Sequence, residues 1–383
     1  MKRHALGLQV PVGTADILPQ DQAFVRTLER GILDLFRKWA YVEVNTPGLE
    51  YLAAINPQIE KADNLYKFFD REGSILALRP ELTTPIARMV ATRLRGNPLP
   101  LRLCYSAEVF RYQKPPARRE FRQAGVELVG SSSPFADAEV ISLAVDVLRG
   151  AGVSGFQINL GHIEVFRGLV SDLGLKSETA VVVEGCIARK DFVALESVLV
   201  EAGLGKEQTQ LILSLPTFHG GEEVLERVEG LVKSPRTAAA LDNLRQVYRA
   251  ISLFGENGQV SIDLGVLRGF DYYTGVVFEG YAPGIGFPVC EGGRYDGLLG
   301  NFGFDCPATG FAVNLEYLVS VLQRPDDCGP EILVAGTEMG RVLARAKELR
   351  AEGIRVEIPL EPMDEERARK YANTKEIPKL EMA

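Results

Sequence analysis

Residues 20–40, QDQAFVRTLERGILDLFRKWA, carry apolar side chains at Phe24, Leu28, Ile32, Leu35, Phe36 and Trp39. Steps of three and four residues place these on one face of a helix, so the spacing predicts a single long amphipathic helix. The period then changes. YVEVNTPGLE (41–50) reads as a strand stopped at Thr46-Pro47, because the residue before a proline is driven toward extended backbone. Further strands are expected at 74–78, 100–110, 121–129 and 156–160. Helices are expected over 82–95 and 136–150, the second entered through Ser133-Pro134.

From about 163 to 255 the chain is rich in Leu, Glu, Ala and Val at helical spacing, as in DFVALESVLVEAG and GEEVLERVEGLV, and reads as a helical insertion. Strand-like sequence resumes at 259–263 (QVSID) and runs through LRGFDYYTGVVFEG (267–280) to the glycine-rich CEGGRYDGLLGNFG. A helix over 312–323 is expected to close this larger domain. RPDDCGP (324–330) has the composition of a linker. Beyond it EILVAG, TEMGRVLARAKELRAEG, IRVEIPL and DEERARKYANT alternate as strand, helix, strand, helix, which predicts a small parallel α/β unit. The expected organisation is α+β: a domain over 1–323 holding the insertion, and a small domain over 330–383.

Composition narrows the function classes. The chain has 383 residues, 46% hydrophobic and 25% charged, an ordinary globular balance, with a formal net charge of −8. An acidic balance argues against gripping phosphate backbones, which needs concentrated basic surface, so no nucleic-acid partner is expected. MKRHALGLQVP lacks the apolar core of a signal peptide, and no run approaches the ~18 apolar residues of a membrane span, so a cytoplasmic protein is expected. Five cysteines without a CxxC pair, and three histidines without an HxxxH pair, give no metal signature. No cofactor is expected, and His4 and His219 read as terminus and turn residues.

Four segments place polar residues where strand packing does not ask for them. They are LRPELTTPIAR (78–88), EVFRYQKPPARREFRQAGVELVG (108–130), LRGFDYYTGVVFEG and EGGRYDG (291–297). The second reads as two antiparallel strands joined by a basic loop, with Arg111 on one and Gln123 and Glu127 on the same face of the other. Each segment alone is equally well explained by caps and salt bridges at strand ends. Together, Glu81, Glu127, Gln123 and several tyrosine hydroxyls would form a pocket for a small cationic ligand such as one bearing an ammonium and an imidazole. Charge-assisted bonds of that kind contribute ~1.5–3 kcal/mol each.

The ordered set PVGTADILP, YVEVNTPGLE, LRPELT, FRYQKP…FRQAGVE, RGFDYYTGVVFE, EGGRYDGL and GFAVNLEYL resembles the catalytic core of histidyl-tRNA synthetase, a class II aminoacyl-tRNA synthetase, over about residues 8–320. The resemblance implies a six- or seven-stranded antiparallel sheet flanked by helices, and a dimer built partly around Pro47. It also implies a histidine site made of Glu81, Thr83, Gln123, Glu127, Tyr272, Tyr273 and Tyr295, with Arg111 and Arg268 toward the carboxylate and phosphate end.

The departures redirect it. The synthetases read Gly-Phe-Ala-x-Gly-Leu-Glu-Arg where this chain has GFAVNLEYL, so Asn314 stands for the glycine and Tyr317 for the arginine that clamps the ATP phosphates. Losing such a charge-stabilising group costs ~2.7–4 kcal/mol in comparable sites. Gln113 replaces the glutamate that accepts from adenine, Leu82 follows the LRPE glutamate, and the C-terminal unit resembles only the first half of an anticodon-binding domain. FRYQ, LRPE-x-T-x-PIAR and the short C-terminus resemble instead the ATP phosphoribosyltransferase regulatory subunit family. That resemblance implies no catalytic residues. It implies assembly with a short-form catalytic subunit, self-association within a hetero-oligomer, and feedback inhibition by histidine in the first step of histidine biosynthesis. The alternatives are a divergent histidyl-tRNA synthetase and a stand-alone histidine sensor.

Overall fold

The apolar stripe near the N-terminus forms one helix, Pro19–Lys38, and buries Val25, Leu28, Ile32 and Phe36. The computed structural model describes residues 8–55, 64–114, 117–230, 234–256, 258–267, 272–323 and 329–383. Its strands in chain order are β1 Val42–Glu43, β2 Leu49–Tyr51, β3 Lys67–Phe69, β4 Ile75–Leu78, β5 Leu101–Phe110, β6 Glu120–Val129, β7 Gln157–His162 and β8 His219–Gly220. They continue as β9 Val260–Asp263, β10 Val276–Tyr281, β11 Cys290–Arg294, β12 Ala308–Asn314, β13 Ile332–Ala335, β14 Val356–Glu357 and β15 Leu380–Met382. Residues 25–323, with the preceding 1–16, make one compact unit. Residues 324–383, with 17–24, make a second.

The larger unit is built on a sheet in the order β1-β5-β6-β12-β11-β10-β7-β9-β8. This exceeds the six or seven antiparallel strands that the resemblance implied, and two of its pairs, β1–β5 and β7–β9, are parallel. The insertion explains the second pair. A parallel neighbour needs a long crossover, and the helices from Ile163–Asp172 to Pro235–Leu253 fill the chain between β7 and β9. YVEVNTPGLE also divides: Val42–Glu43 joins the large sheet, whereas Leu49–Tyr51 pairs with β4 in a separate sheet ordered β2-β4-β3. Thr46-Pro47 lies at the break, where proline cannot donate a ladder hydrogen bond.

The large sheet sorts its residues by the period of two. One face carries Cys104, Ala124, Val126, Leu128, Phe311, Val313, Phe278, Ile158 and Leu160, all buried in one core with the helices Pro19–Lys38, Pro134–Gly150 and Pro235–Leu253. Helix Pro134–Gly150 starts where Ser133 Oγ accepts from the Phe135 N–H at 3.2 Å, with proline in its first turn. The other face is where the glycines and polar side chains fall: Tyr105, Gln123, Gly125, Glu127, Gly310, Ala312 and Glu291.

In the second unit β13 runs between β14 and β15, all parallel. Leu333 and Ala335 pack with Ala368 and Ala372 on one side, and Ile332 and Val334 with Val342 and Leu349 on the other. A strand buried on both faces is what a covered parallel sheet requires. The third strand, β15, extends the expected strand–helix–strand–helix unit by one element. No helix among the described residues is long and apolar enough to cross a membrane.

Candidate functional site

Strand β6 organises the polar face. In FRQAGVELV the alternation sends Ala124, Val126 and Leu128 into the core and leaves Gln123, Gly125 and Glu127 on the opposite side. Glu127 faces Leu103 of β5 and Gly310 of β12 in register. A Cβ at position 310 would run into the Glu127 carboxylate and the Val126 carbonyl, and one at 125 into the Tyr105 hydroxyl. Glycine at those two places is what gives Glu127 and Tyr105 room above the sheet.

Glu127 is 1% exposed. Thr83 Oγ1 donates to its Oε1 at 2.8 Å and the Tyr295 hydroxyl donates to its Oε2. Burial pushes its pKa up, the two donors pull it back, and the neighbouring Glu81 carboxyl raises it further; the result is about 8. Glu127 therefore holds a proton at neutral pH. Glu81 accepts the Thr84 N–H with both oxygens, at 3.1 and 3.0 Å, and burial raises it too, opposed by Thr84 and by the Arg111 charge.

Three tyrosines close the side of this cavity. Tyr272 meets Tyr273 edge-on at 5.1 Å between ring centres and Tyr295 at 5.7 Å. Burial pushes all three hydroxyls well above their ordinary pKa, so each remains a neutral donor. The cavity is narrow, about 20 Å³, and is lined by Glu81, Thr83, Gln123, Tyr272, Tyr273 and Tyr295 together with Tyr105, Glu291 and the β12 backbone at 310–312. Six of the expected site residues thus share one cavity, and Glu127 is hydrogen-bonded to two of them. Arg268 lies outside the described residues.

Arg111 lines a second, larger cavity of about 340 Å³ that shares Gln123, Glu291 and Ala312 with the first. Its Nε donates to the Pro80 carbonyl at 2.8 Å and its guanidinium stands 5.1 Å from the Phe121 ring centre. Gln113, Phe121, Phe287, Asn314 and Tyr317 also line this outer cavity, with residues 288–290. Tyr317 rests on Phe287 at 4.2 Å between ring centres. The expected helix over 312–323 begins only at Leu315, because β12 runs to Asn314 and the Asn314 side chain caps the helix by accepting from the Tyr317 N–H at 3.1 Å.

Sequence reasoning missed Tyr105 and Glu291. Tyr105 had a readable signal, since period two in PLRLCYSAEVF puts it on one face with Leu103 and Ala107; only strand pairing sets it opposite Gly125. Glu291 opens the EGGRYDG block but its role depends on lying beside Ala312 in register. Arg294 of the same block does not enter the cavity. It pairs with Asp137 at 2.8 Å, both buried, and ties β11 to helix Pro134–Gly150. Among the described residues no group of three His, Cys, Asp or Glu side chains is placed to hold a metal ion.

A family profile described as histidyl-tRNA synthetase matches residues 13–318. An ATP phosphoribosyltransferase regulatory subunit from Desulfitobacterium hafniense (strain DSM 10664 / DCB-2) is 50% identical over 377 residues, covering 98% of both chains. One from Moorella thermoacetica is 47% identical, covering 92% of each. Among solved structures, an ATP phosphoribosyltransferase regulatory subunit/histidyl-tRNA synthetase from Bacillus halodurans C superposes with a TM-score of 0.88 at 30% identity, over 98% of both chains. Histidyl-tRNA synthetase from Nostoc sp. PCC 7120 shares the fold, with a TM-score of 0.84 at 22% identity over 97% of this chain and 90% of that one. The chain therefore has the class II aminoacyl-tRNA synthetase-like fold and belongs to the ATP phosphoribosyltransferase regulatory subunit family, a paralogous branch of histidyl-tRNA synthetase.

Proposed function

We propose that this protein is the non-catalytic regulatory subunit of ATP phosphoribosyltransferase. It works in the cytoplasm with a short-form catalytic subunit at the first step of histidine biosynthesis and confers feedback inhibition by histidine. Family membership supports the regulatory role. The observation that supports the ligand is the chemistry around the inner cavity, where the buried Glu81 carboxyl and three neutral tyrosines line the wall and the buried Glu127 carboxyl stands behind Thr83 and Tyr295, acceptors and donors of the kind an imidazole and an ammonium require. The outer cavity supports the lack of chemistry. Tyr317 lies against Phe287 where a synthetase needs a cation for the triphosphate, and Gln113 lines the same wall.

Histidine acts by binding one quaternary state more tightly than another, which requires only ~1–3 kcal/mol of coupling and works in both directions. A homodimer forms part of that assembly. Leu49, Tyr51 and Phe68 lie on one face of the small sheet around β4, and all three are exposed, which supports a self-association surface near Pro47. The deciding experiment mixes the chain with a short-form phosphoribosyltransferase and follows ATP-dependent phosphoribosyl transfer with and without histidine. Stimulation by this chain together with inhibition by histidine is the expected result. Histidine-dependent pyrophosphate exchange by the chain alone would establish the synthetase alternative, and failure to bind the catalytic subunit would establish the stand-alone sensor.

A further inference from the structure

Helix Ile163–Asp172 leaves the end of β7 as the first element of the insertion, and two of its residues hold the backbone that leads into β10. The Ile163 N–H donates to the Gly275 carbonyl at 3.0 Å, and Arg167 Nη1 donates to the Tyr273 carbonyl at 3.3 Å. Tyr273 belongs to the wall of the inner cavity. Its ring lies against β11, where a Cβ at position 293 would stand 3.0 Å from it. The peptide that aims this ring is therefore tied to the insertion as well as to the sheet.

Arg167 is itself held in place. Its Nη1 also donates to Glu164 Oε1 at 3.2 Å, and the other Glu164 oxygen accepts from Arg236 Nε at 2.6 Å. Arg236 stands in the first turn of helix Pro235–Leu253, the last helix of the insertion. These two helices approach closely, since a Cβ at position 168 would collide with Thr237. A carboxylate between two guanidiniums fixes both, and the planar fork of Arg167 carries that constraint to the Tyr273 carbonyl. We infer that Arg167 is a positioning residue, which holds the Tyr273 peptide so that the tyrosine hydroxyl meets a ligand in the inner cavity and which couples occupation of that cavity to the packing of the insertion. This rests on the reading of the inner cavity as a histidine pocket. A displaced Tyr273 peptide withdraws the hydroxyl and weakens the ligand. A ligand that fixes the ring steadies the Arg167–Glu164–Arg236 chain in return, because coupling between linked sites is reciprocal.

Calorimetry with L-histidine and amide hydrogen exchange, both on the full chain, test it. Arg167→Ala is expected to lose at least about fivefold in affinity for histidine, the lower end of coupling between linked sites. Tyr273→Phe is expected to weaken histidine as well. Adding Arg167→Ala to Tyr273→Phe should then cost less than about twofold more, since both changes act through one hydroxyl. At equal occupancy, histidine is expected to slow exchange across residues 163–172 and 235–253 several-fold more in the wild type than in Arg167→Ala. If Arg167→Ala does not fold, Arg167→Gln, which keeps the length and loses the charge, takes its place in the same cycle. Undiminished affinity in either single variant, additive losses in the double variant, or equal protection of the two helices with and without Arg167 overturns the inference and leaves the histidine pocket standing. A wild-type chain that does not bind histidine overturns the pocket and this inference with it.

Discussion

Tyr295 and Glu127 stand 168 residues apart in the chain and meet in one buried hydrogen bond, the tyrosine hydroxyl donating to the carboxyl. Thr83 donates to the other oxygen of the same group. A carboxyl shielded from water, beside a second buried carboxyl and held by two neutral donors, is poised between its charged and neutral forms.

Replacing Glu127 with glutamine keeps the shape of the side chain and removes its ability to pass its proton to a ligand and become charged. If the cavity binds histidine, Glu127→Gln should lower the affinity by about ten- to 150-fold, the equivalent of ~1.5–3 kcal/mol for one charge-assisted hydrogen bond. Calorimetry on the isolated variant, and the histidine concentration that half-inhibits the reconstituted complex, should move together. Unchanged inhibition alongside weakened binding would place the allosteric histidine elsewhere.

The raised pKa of Glu127 also sets a pH profile. Between the free imidazole value of about 6.5 and about 8, the protein carries the proton and the ligand does not, so one proton serves the pair and none need be exchanged. Affinity should peak in that interval and fall on both sides. Net proton uptake near zero at pH 7, measured in buffers of different ionisation enthalpy, is the expected signature; a full proton taken up at pH 7 would contradict it.

Stability without ligand should respond in a related way. Below 4.5 both the folded and the unfolded chain hold the Glu127 proton; between 4.5 and about 8 the folded chain binds it more strongly, so the Glu127 contribution falls as pH rises through that window. Denaturant titrations of the wild type and of Glu127→Gln should converge at low pH and separate toward pH 8, with the variant the more stable.

Glycine 310 is the steric test of the cavity. Gly310→Ala drives a methyl group into the Glu127 carboxylate and, if the cavity binds histidine, should abolish that binding. Gly297→Ala meets nothing within 4 Å and should bind as the wild type does. Equal binding by both variants would mean that Glu127 does not need its present position.

The Arg294–Asp137 pair should matter for folding. Both partners are buried, and Asp137→Ala leaves a guanidinium without its carboxylate, a loss of about 3–5 kcal/mol in comparable cases. Urea denaturation measures it directly; a loss below ~1 kcal/mol would show that the remaining bonds from Arg294 to Ser131, Ser133 and Asp296 suffice.

The sequence by itself determined the elements whose signal is local. The stripe through Leu28, Ile32 and Phe36 could bury only as a helix, Ser133-Pro134 could open the next one, and Gln123 and Glu127 had to share a strand face, because each depends on backbone period or on a neighbouring residue. It also carried most of the site, as residue types in order: Glu81, Thr83, Gln123, Glu127 and the tyrosines. Tertiary structure decided what no local rule contains. Strand register set Gly310 against Glu127 and Gly125 against Tyr105, opening the cavity. The helical insertion acted as the crossover that made β7 and β9 parallel. Arg294 and Tyr295, adjacent in one motif, were sent to opposite faces of the structure, one to the salt bridge with Asp137 and one to the carboxyl of Glu127. Apart from Gly125 and Tyr105, which sit on consecutive strands, the partners lie a hundred or more residues away, and their choice is made by burial of the whole sheet and not by the sequence around any one strand.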